Sequence, residues 1–150
     1  MSDLLLAIDY SKDFRFVGMV VARESVIKSS EFLNLASWVK HVADLPRREK
    51  IAYLHRFPKR LAKIRSYLEH VLVVRGIEEA NRRLVELKPD VVLVDNALYS
   101  YVHHPRKVME SRVKERHRRV LMLLTDNVAY YAYWVLNVLR DPRKLREVLW

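Results

Sequence analysis

Three aspartates stand where a purely structural chain has little use for them. Asp9 closes the apolar run Leu4-Leu5-Leu6-Ala7-Ile8, and Asp95 closes Val91-Val92-Leu93-Val94. Asp126 sits in Thr125-Asp126-Asn127-Val128-Ala129, inside a long apolar segment. The hydrophobic effect does not put an acid beside such stretches. In an open α/β sheet, functional groups gather at the carboxyl ends of the strands. If the two apolar runs are parallel neighbours, Asp9 and Asp95 come side by side. Converging carboxylates repel one another and are tolerated around a cation, and hard oxygen ligands select Mg2+ or Mn2+. Two such ions about 3.5–4 Å apart suit in-line attack on a phosphodiester, because entering and leaving oxygens are both stabilised. Each acid also has a structural reading, since a strand-terminal Asp caps a turn and Asp126 could extend capping around Thr125. The joint placement is what points to a shared metal site.

Positive charge surrounds these acids. Lys+Arg number 28 against Asp+Glu 18, a formal net charge of +10. Such a balance favours solubility and encounter with polyanions, nucleic acid (DNA or RNA) foremost. The densest basic segment lies between Asp95 and Asp126: His103-His104-Pro105-Arg106-Lys107, then Arg112, Lys114, Arg116, His117, Arg118 and Arg119. Read as a helix over 106–119, it puts Arg112, Arg116 and Arg119 on one side, as a row of phosphate contacts requires. The plainer reading is a solvated face balanced by Glu110 and Glu115. Lys12 and Arg15, just after the first acid, join Arg112, Lys114, Arg116, Arg118 and Arg119 as candidate backbone contacts. A second group, Arg47, Arg48, Lys50, Arg56, Lys59, Arg60, Lys63 and Arg65, reads equally as solvated surface or substrate groove. Adjacent residues seldom point the same way, so His103 and His104 read as loop residues and not a ligand pair. Tyr130, Tyr131, Tyr133 and Trp134 read as core or dimer surface before base stacking. Leu145, Val148, Leu149 and Trp150 form a tail that leaves a homodimer open.

The elements that must position these residues follow from periodicity. Leu4–Ile8 reads as a buried strand, Tyr10-Ser11-Lys12-Asp13 as a turn, Phe14–Arg23 as a second strand and Ser25–Leu33 as a third. Their connections are too short for crossover helices, so an antiparallel meander is expected. From Leu35 the period turns helical (Ala36, Val39, Val42, Ala43), and a longer helix follows on Ile51, Leu54, Leu61, Ile64 and Leu68, which Pro58 should kink or divide. His70–Val74 fits strand or helix, Ile77–Leu87 is helical, and Val91–Val94 is the clearest buried strand. Val120–Leu139 starts as a short strand or a helix and is helical from about Thr125. With no repeat, low-complexity tract or linker, residues 1–150 read as one α/β domain large enough for a sizeable core.

Several classes are excluded. Without Cys there is neither a disulfide framework nor a Cys-based zinc site. Gly-rich phosphate loops, Gly-x-Ser-x-Gly elbows and His-Glu-x-x-His are missing. The Leu4–Ile8 run is too short for a signal peptide or membrane span, and Asp126, Asn127 and Asn137 interrupt Val120–Leu139, so a cytoplasmic protein is expected. The absence of Gln, the single Thr125 and the few Gly resemble the composition of hyperthermophile proteins.

Leu6-Ala7-Ile8-Asp9-Tyr10-Ser11 followed by Phe16-Val17-Gly18-Met19-Val20-Val21 resembles the opening hairpin of RuvC-type Holliday-junction resolvases and their YqgF-like relatives, within the ribonuclease H-like superfamily. Asp126-Asn127-Val128-Ala129-Tyr130-Tyr131-Ala132 is similar to the Asp-x-x-Ala-x-x-Ala pattern that ends those domains. The order of elements, with acids ending the first and fourth strands and entering the last helix, resembles the superfamily too. The resemblance implies a three-stranded antiparallel meander joined to parallel strands with flanking helices. It also implies that Asp9, Asp95 and Asp126 are the catalytic acids, holding Mg2+ or Mn2+ in a nuclease. Two alternatives stay open: a non-catalytic nucleic-acid-binding or assembly module of the same fold, and a PIN-type nuclease, in which the residues after the first strand would be helical.

Overall fold

Strand β1 (Leu4–Ser11) is almost continuously apolar because both of its faces are covered. The protein is described here from a computed structural model that covers residues 3–11 and 15–149. Lys12, Asp13, Phe14 and Trp150, each of which carried an expectation, lie outside the described residues. Leu5 and Ala7 point to one side of the sheet and Leu6 and Ile8 to the other, as the two-residue period requires. Asp9 continues the first of these rows.

The sheet has five strands in the order β3-β2-β1-β4-β5. Strand β2 (Phe16–Arg23) pairs antiparallel with β1, Asp9 facing Gly18 across the ladder, and β3 (His70–Val74) pairs antiparallel with β2. Strand β4 (Val91–Val94) runs parallel to β1, with Ile8 opposite Val94, and β5 (Lys107–Met109) runs parallel to β4. Helix α4 (Ile77–Leu87) covers one face through Ala80 and Leu84. Helices α3 (Arg47–Ile64) and α5 (Arg116–Tyr133) share the larger core on the other face.

The three antiparallel strands are present, but the third is not Ser25–Leu33. That segment forms two short helices, α1 (Glu24–Ile27) and α2 (Ser30–Leu35). Ser29 supplies the reason, because its side chain accepts the Phe32 N–H as a helix N-cap while Ile27 and Phe32 bury. Residues 24–69 therefore leave the sheet between β2 and β3 and return as β3, which the ambiguous 70–74 segment supplies. The helix expected from Leu35 onward does not form: α2 ends at Leu35, and a single 3-10 turn at Val42–Asp44 precedes α3. Side chains from other elements take the backbone groups of Lys40 and Val42, competing with helix formation there.

Pro58 does not divide α3, which runs unbroken from Arg47 to Ile64. Burial of Leu54, Phe57, Leu61 and Ile64, each worth roughly 1.5–3 kcal/mol, outweighs the roughly 3 kcal/mol that an internal proline costs. The basic helix expected over 106–119 is absent as well. Residues 107–109 take up the free edge of β4, Glu110–Arg112 make a single tight turn, and α5 starts at Arg116. Arg112 is thus off the helix that carries Arg116 and Arg119. Val120 lies inside α5, so no strand precedes the last helix. The extended β2 removes the basis for a PIN-type arrangement. Among the described residues no helix is long and apolar enough to cross a membrane.

The start of α5 is tied to α1 by a cluster of charges. Glu24 accepts from Arg118 Nε at 2.6 Å and Arg118 Nη2 at 3.1 Å, and lies 2.7 Å from His117 Nε2. The Arg118 hydrogen bonds are the main reason its carboxyl drops from 4.5 to about 2. A depressed carboxylate contributes stability that is complete above 4.5 and is lost as pH falls toward 2. Glu24→Gln is expected to cost about 2 kcal/mol at neutral pH, after allowance for solvent screening, and to flatten the acid limb of a urea-denaturation series. An acid limb identical to wild type would show that the cluster does not hold the two helices together.

Candidate metal centre

The carboxyl end of β1 is where the sheet offers its most crowded charge. The parallel pairing of Ile8 with Val94 sets Asp9 beside Asp95, and the Asp95 N–H donates to Ile8 O at 3.1 Å. Asp95 also caps the turn that follows, its Oδ1 accepting the Ala97 N–H at 2.9 Å. The capping reading therefore holds for Asp95, which stands at the same time beside Asp9 at the sheet's edge. Strand β5 delivers Glu110 to this edge, in the turn immediately after Met109. One carboxylate oxygen from each of Asp9, Asp95 and Glu110 lies within 4.8 Å of the other two.

Asp126 approaches from α5, and a glycine lets it do so. A Cβ on Gly18, the residue facing Asp9, would sit 3.0 Å from Thr125 O and 3.1 Å from Ala129 N. Any side chain there would hold the backbone of α5 away from the sheet. Opposite, the segment around residue 41 closes over Asp126. The Val42 N–H donates to its Oδ2 at 3.3 Å, and His41 Nε2 is 3.6 Å from its Oδ1. A buried network fixes that segment: Asn127 donates to Lys40 O at 2.8 Å, the Lys40 N–H donates to Tyr53 Oη at 3.0 Å, and Tyr53 Oη donates to Asn127 Oδ1. Asn127, next to Asp126, thereby anchors the wall facing it.

Asp9, Asp95 and Asp126 line one cleft of about 410 Å³ together with Tyr10, Ser11, His41, Ala43, Lys50 and Tyr130. Asp9 is 5% exposed, and burial, then the charges of Asp126 and Asp95, raise its carboxyl from 3.8 to about 9. Asp126 is raised chiefly by burial, against the pull of His41. Glu110 is raised by burial and by Asp95, with which it shares a hydrogen bond. Ser11 Oγ is buried and has no hydrogen-bond partner among the described residues. An all-oxygen donor set under mutual repulsion, with an unsatisfied hydroxyl beside it, fits a hard divalent cation.

The structure thus gathers all three expected acids and adds residues that periodicity did not single out. Glu110 read as a balancing charge on a helix face, and only recognition of β5 could have placed it. His41 carried no signal, since its position depends on the network at Lys40. Lys50, from the second basic group, lies 5.4 Å from the Tyr130 ring, both on the cleft wall. Tyr131 and Trp134 are core, as expected, whereas Tyr130 faces the cleft. The expected phosphate contacts are scattered. Arg118 is held by Glu24, Arg119 Nε donates to Val113 O at 3.2 Å, Arg112 lines a separate depression with Tyr99 and Lys107, and Lys114, Arg116 and Arg15 are exposed. His104 has a loop role, accepting the Arg106 N–H at Nδ1 and donating from Nε2 to Pro89 O.

No family model matches the sequence, and no curated protein matches it as a relative. The structure is similar to that of the ribonuclease H2 from Pyrococcus horikoshii OT3, with a TM-score of 0.52 and 15% identity, over 96% of this chain and 76% of that one. The likeness shows a ribonuclease H-like fold.

Two outcomes check this geometry. Gly18→Ala is expected to destabilise the protein by about 1–3 kcal/mol, because backbone atoms of α5 must move; a neutral result in chemical denaturation would mean that α5 is not pressed onto β2. The second concerns Asp9. The unfolded chain ionises it near 3.8 while the folded one resists until about 9, so its contribution to stability is complete below 3.8 and is lost as pH rises toward 9. In metal-free buffer Asp9→Asn should therefore be more stable than wild type at pH 8, with a smaller difference at pH 5. Equal stability at both would show that the carboxyl is not crowded.

Proposed function

We propose that this chain is a divalent-metal-dependent nuclease that hydrolyses phosphodiester bonds of nucleic acid. The observation that carries the reading is the convergence of Asp9, Asp95 and Glu110, with Asp126 on the facing wall, at the carboxyl end of β1. Asp9, Asp95, Glu110 and Asp126 would hold Mg2+ or Mn2+. When bound, such an ion polarises the phosphoryl oxygen and activates water for attack. The protein supplies the rest. Asp95 is fixed by its own cap, Asp126 by the Val42 N–H, and Asp9 by the strand, so the carboxylates are held before substrate arrives. Lys50 stands at the cleft wall, where its charge can meet a phosphate. Ser11 Oγ, without a partner among the described residues, can bond a water or a phosphate oxygen. Tyr130, beside Lys50, offers a ring to a base or sugar.

The opening hairpin and the Asp126 helix support a place near the RuvC-type resolvases and YqgF-like relatives, which makes branched DNA the first substrate to try, alongside DNA and RNA duplexes and hybrids. The test pairs calorimetry with cleavage. Wild type should bind Mn2+ and cut at least one of these substrates only when it is present. Asp9→Asn, Asp95→Asn and Glu110→Gln should each weaken Mn2+ binding and slow cleavage by at least a hundredfold, on the order of 3 kcal/mol of barrier. Cleavage by scrupulously purified Asp9→Asn at the wild-type rate would overturn the mechanism. Nucleic-acid binding with no metal-dependent turnover would select the non-catalytic module instead.

A further inference from the structure

Among the described residues, a dense set of cations outside ion pairs lies on α3, most of it outside the acid cleft. The helix carries Arg47, Arg48, Lys50, Arg56, Lys59, Arg60 and Lys63 against one acid, Glu49. Arg47, Arg48, Arg56, Lys59 and Lys63 are exposed, and none of these five is in an ion pair among the described residues. The segment 112–119 differs, since Arg118 is bidentate on Glu24 and Arg119 donates to a backbone carbonyl. A helix that needed charge only for solubility would pair it with acids at helical spacing.

This charge is continuous with the acid cleft. A second cleft, of about 190 Å³, is lined by the cations Lys40, Arg56 and Arg60 together with Tyr53, Leu45 and one acid, Glu49. The turn at residues 40–45 separates the two clefts: His41 and Ala43 line the one with the acids, Lys40 and Leu45 the other. Lys50 lies on the acid side and Glu49 on the basic side of the same helical turn. Arg60 is oriented by aromatic faces, its guanidinium 5.6 Å from the Trp38 ring and 5.8 Å from the Tyr53 ring. Such stacking fixes the group while leaving its N–H donors available, which lowers the ordering cost of a phosphate contact.

We propose that the basic face of α3, reached from the acid cleft over Lys50 and continuing through Lys40, Arg56 and Arg60, is the track of a nucleic-acid backbone. It rests on the nuclease reading for its direction, with the scissile phosphate at the acids, but not for binding itself. Lys50 and Arg60 are separated by ~15 Å along the helix, the axial rise of about four base steps. Charge selects the occupant: the face is a row of cations with one acid among them, suited to a regular polyanion. An acidic protein segment is the rival occupant.

Fluorescence anisotropy of a labelled nucleic-acid duplex with the full chain, in EDTA so that nothing is cut, tests the proposal. Lys40→Gln/Arg56→Gln removes two exposed cations of the second cleft, neither of which lines the acid cleft, and circular dichroism checks its fold. Its binding should weaken about tenfold at moderate salt, and the slope of log affinity against log salt should become shallower by roughly 2. Arg112→Gln/Lys114→Gln should bind as wild type does. Loss of binding in that control pair with none in the α3 pair would overturn the track. So would an absence of binding by wild type at low salt, or competition by polyglutamate as effective as that by unlabelled duplex. Asp9→Asn reports separately: it should bind the duplex at least as tightly as wild type, whether or not the wild type cleaves. A failed nuclease reading thus shows in turnover and a failed track in the salt slope.

Discussion

Repulsion among buried carboxyl groups is the constraint around which the rest of the molecule is arranged. Asp9 sits in a row of β1 that otherwise faces an apolar core, and Asp126 lies in a helix whose neighbours are almost all buried. An apolar residue at either place would serve folding better, since burial and neighbouring acids raise both carboxyls in spite of the hydrogen bonds that Asp9 accepts from Tyr10 N–H and Asp126 from Val42 N–H. Among the described residues, the buried acids both stand at this one end of the sheet. The core elsewhere obeys the ordinary rules, with alternation in the strands and apolar stripes on the helices. A local breach inside an otherwise consistent fold marks a place kept for a purpose other than stability.

Holding the acids together requires two close approaches, each with its own device. Gly18 admits the backbone of α5 against β2 directly opposite Asp9, and no other residue fits there without displacing the helix. The network of Asn127, Tyr53 and Lys40 draws the chain at residues 40–42 against the same helix from outside. The excursion of residues 24–69 between β2 and β3 thereby does more than cover the sheet. It brings His41, Lys50 and the Val42 N–H to the acids and leaves the rest of α3's charge facing outward. Loop, helix and site are coupled through a few buried polar groups, which are rigid when all are satisfied.

The strands β1, β2 and β4 and the helices α3 and α4 were legible because each is long enough, or apolar enough, for periodicity to speak. So were the three aspartates, because an acid at the end of an apolar run violates the pattern around it. Other features were hidden for physical reasons. The third antiparallel strand could not be assigned from His70–Val74, since a short apolar run fits strand and helix equally. Ser25–Leu33 looked extended until Ser29 acted as a cap. Three residues of β5 carry no periodic signal, and with β5 unseen, Glu110 had no reason to differ from any surface acid. His41 depends wholly on tertiary hydrogen bonds.

The same reasoning explains why basic residues mislead when read as a count. Between Asp95 and Asp126 the chain has its densest run of cations, yet one of them is neutralised by Glu24, across 94 residues of sequence. Another is turned to a carbonyl, and a break at residues 113–115 splits the rest between two elements. On α3 the density is lower, but the helix is continuous and its acids are nearly absent. Charge that can meet a polyanion is charge that has not been spent on the fold. That difference is a property of pairing and not of composition, and it appears only when the partners of each cation are traced through the structure.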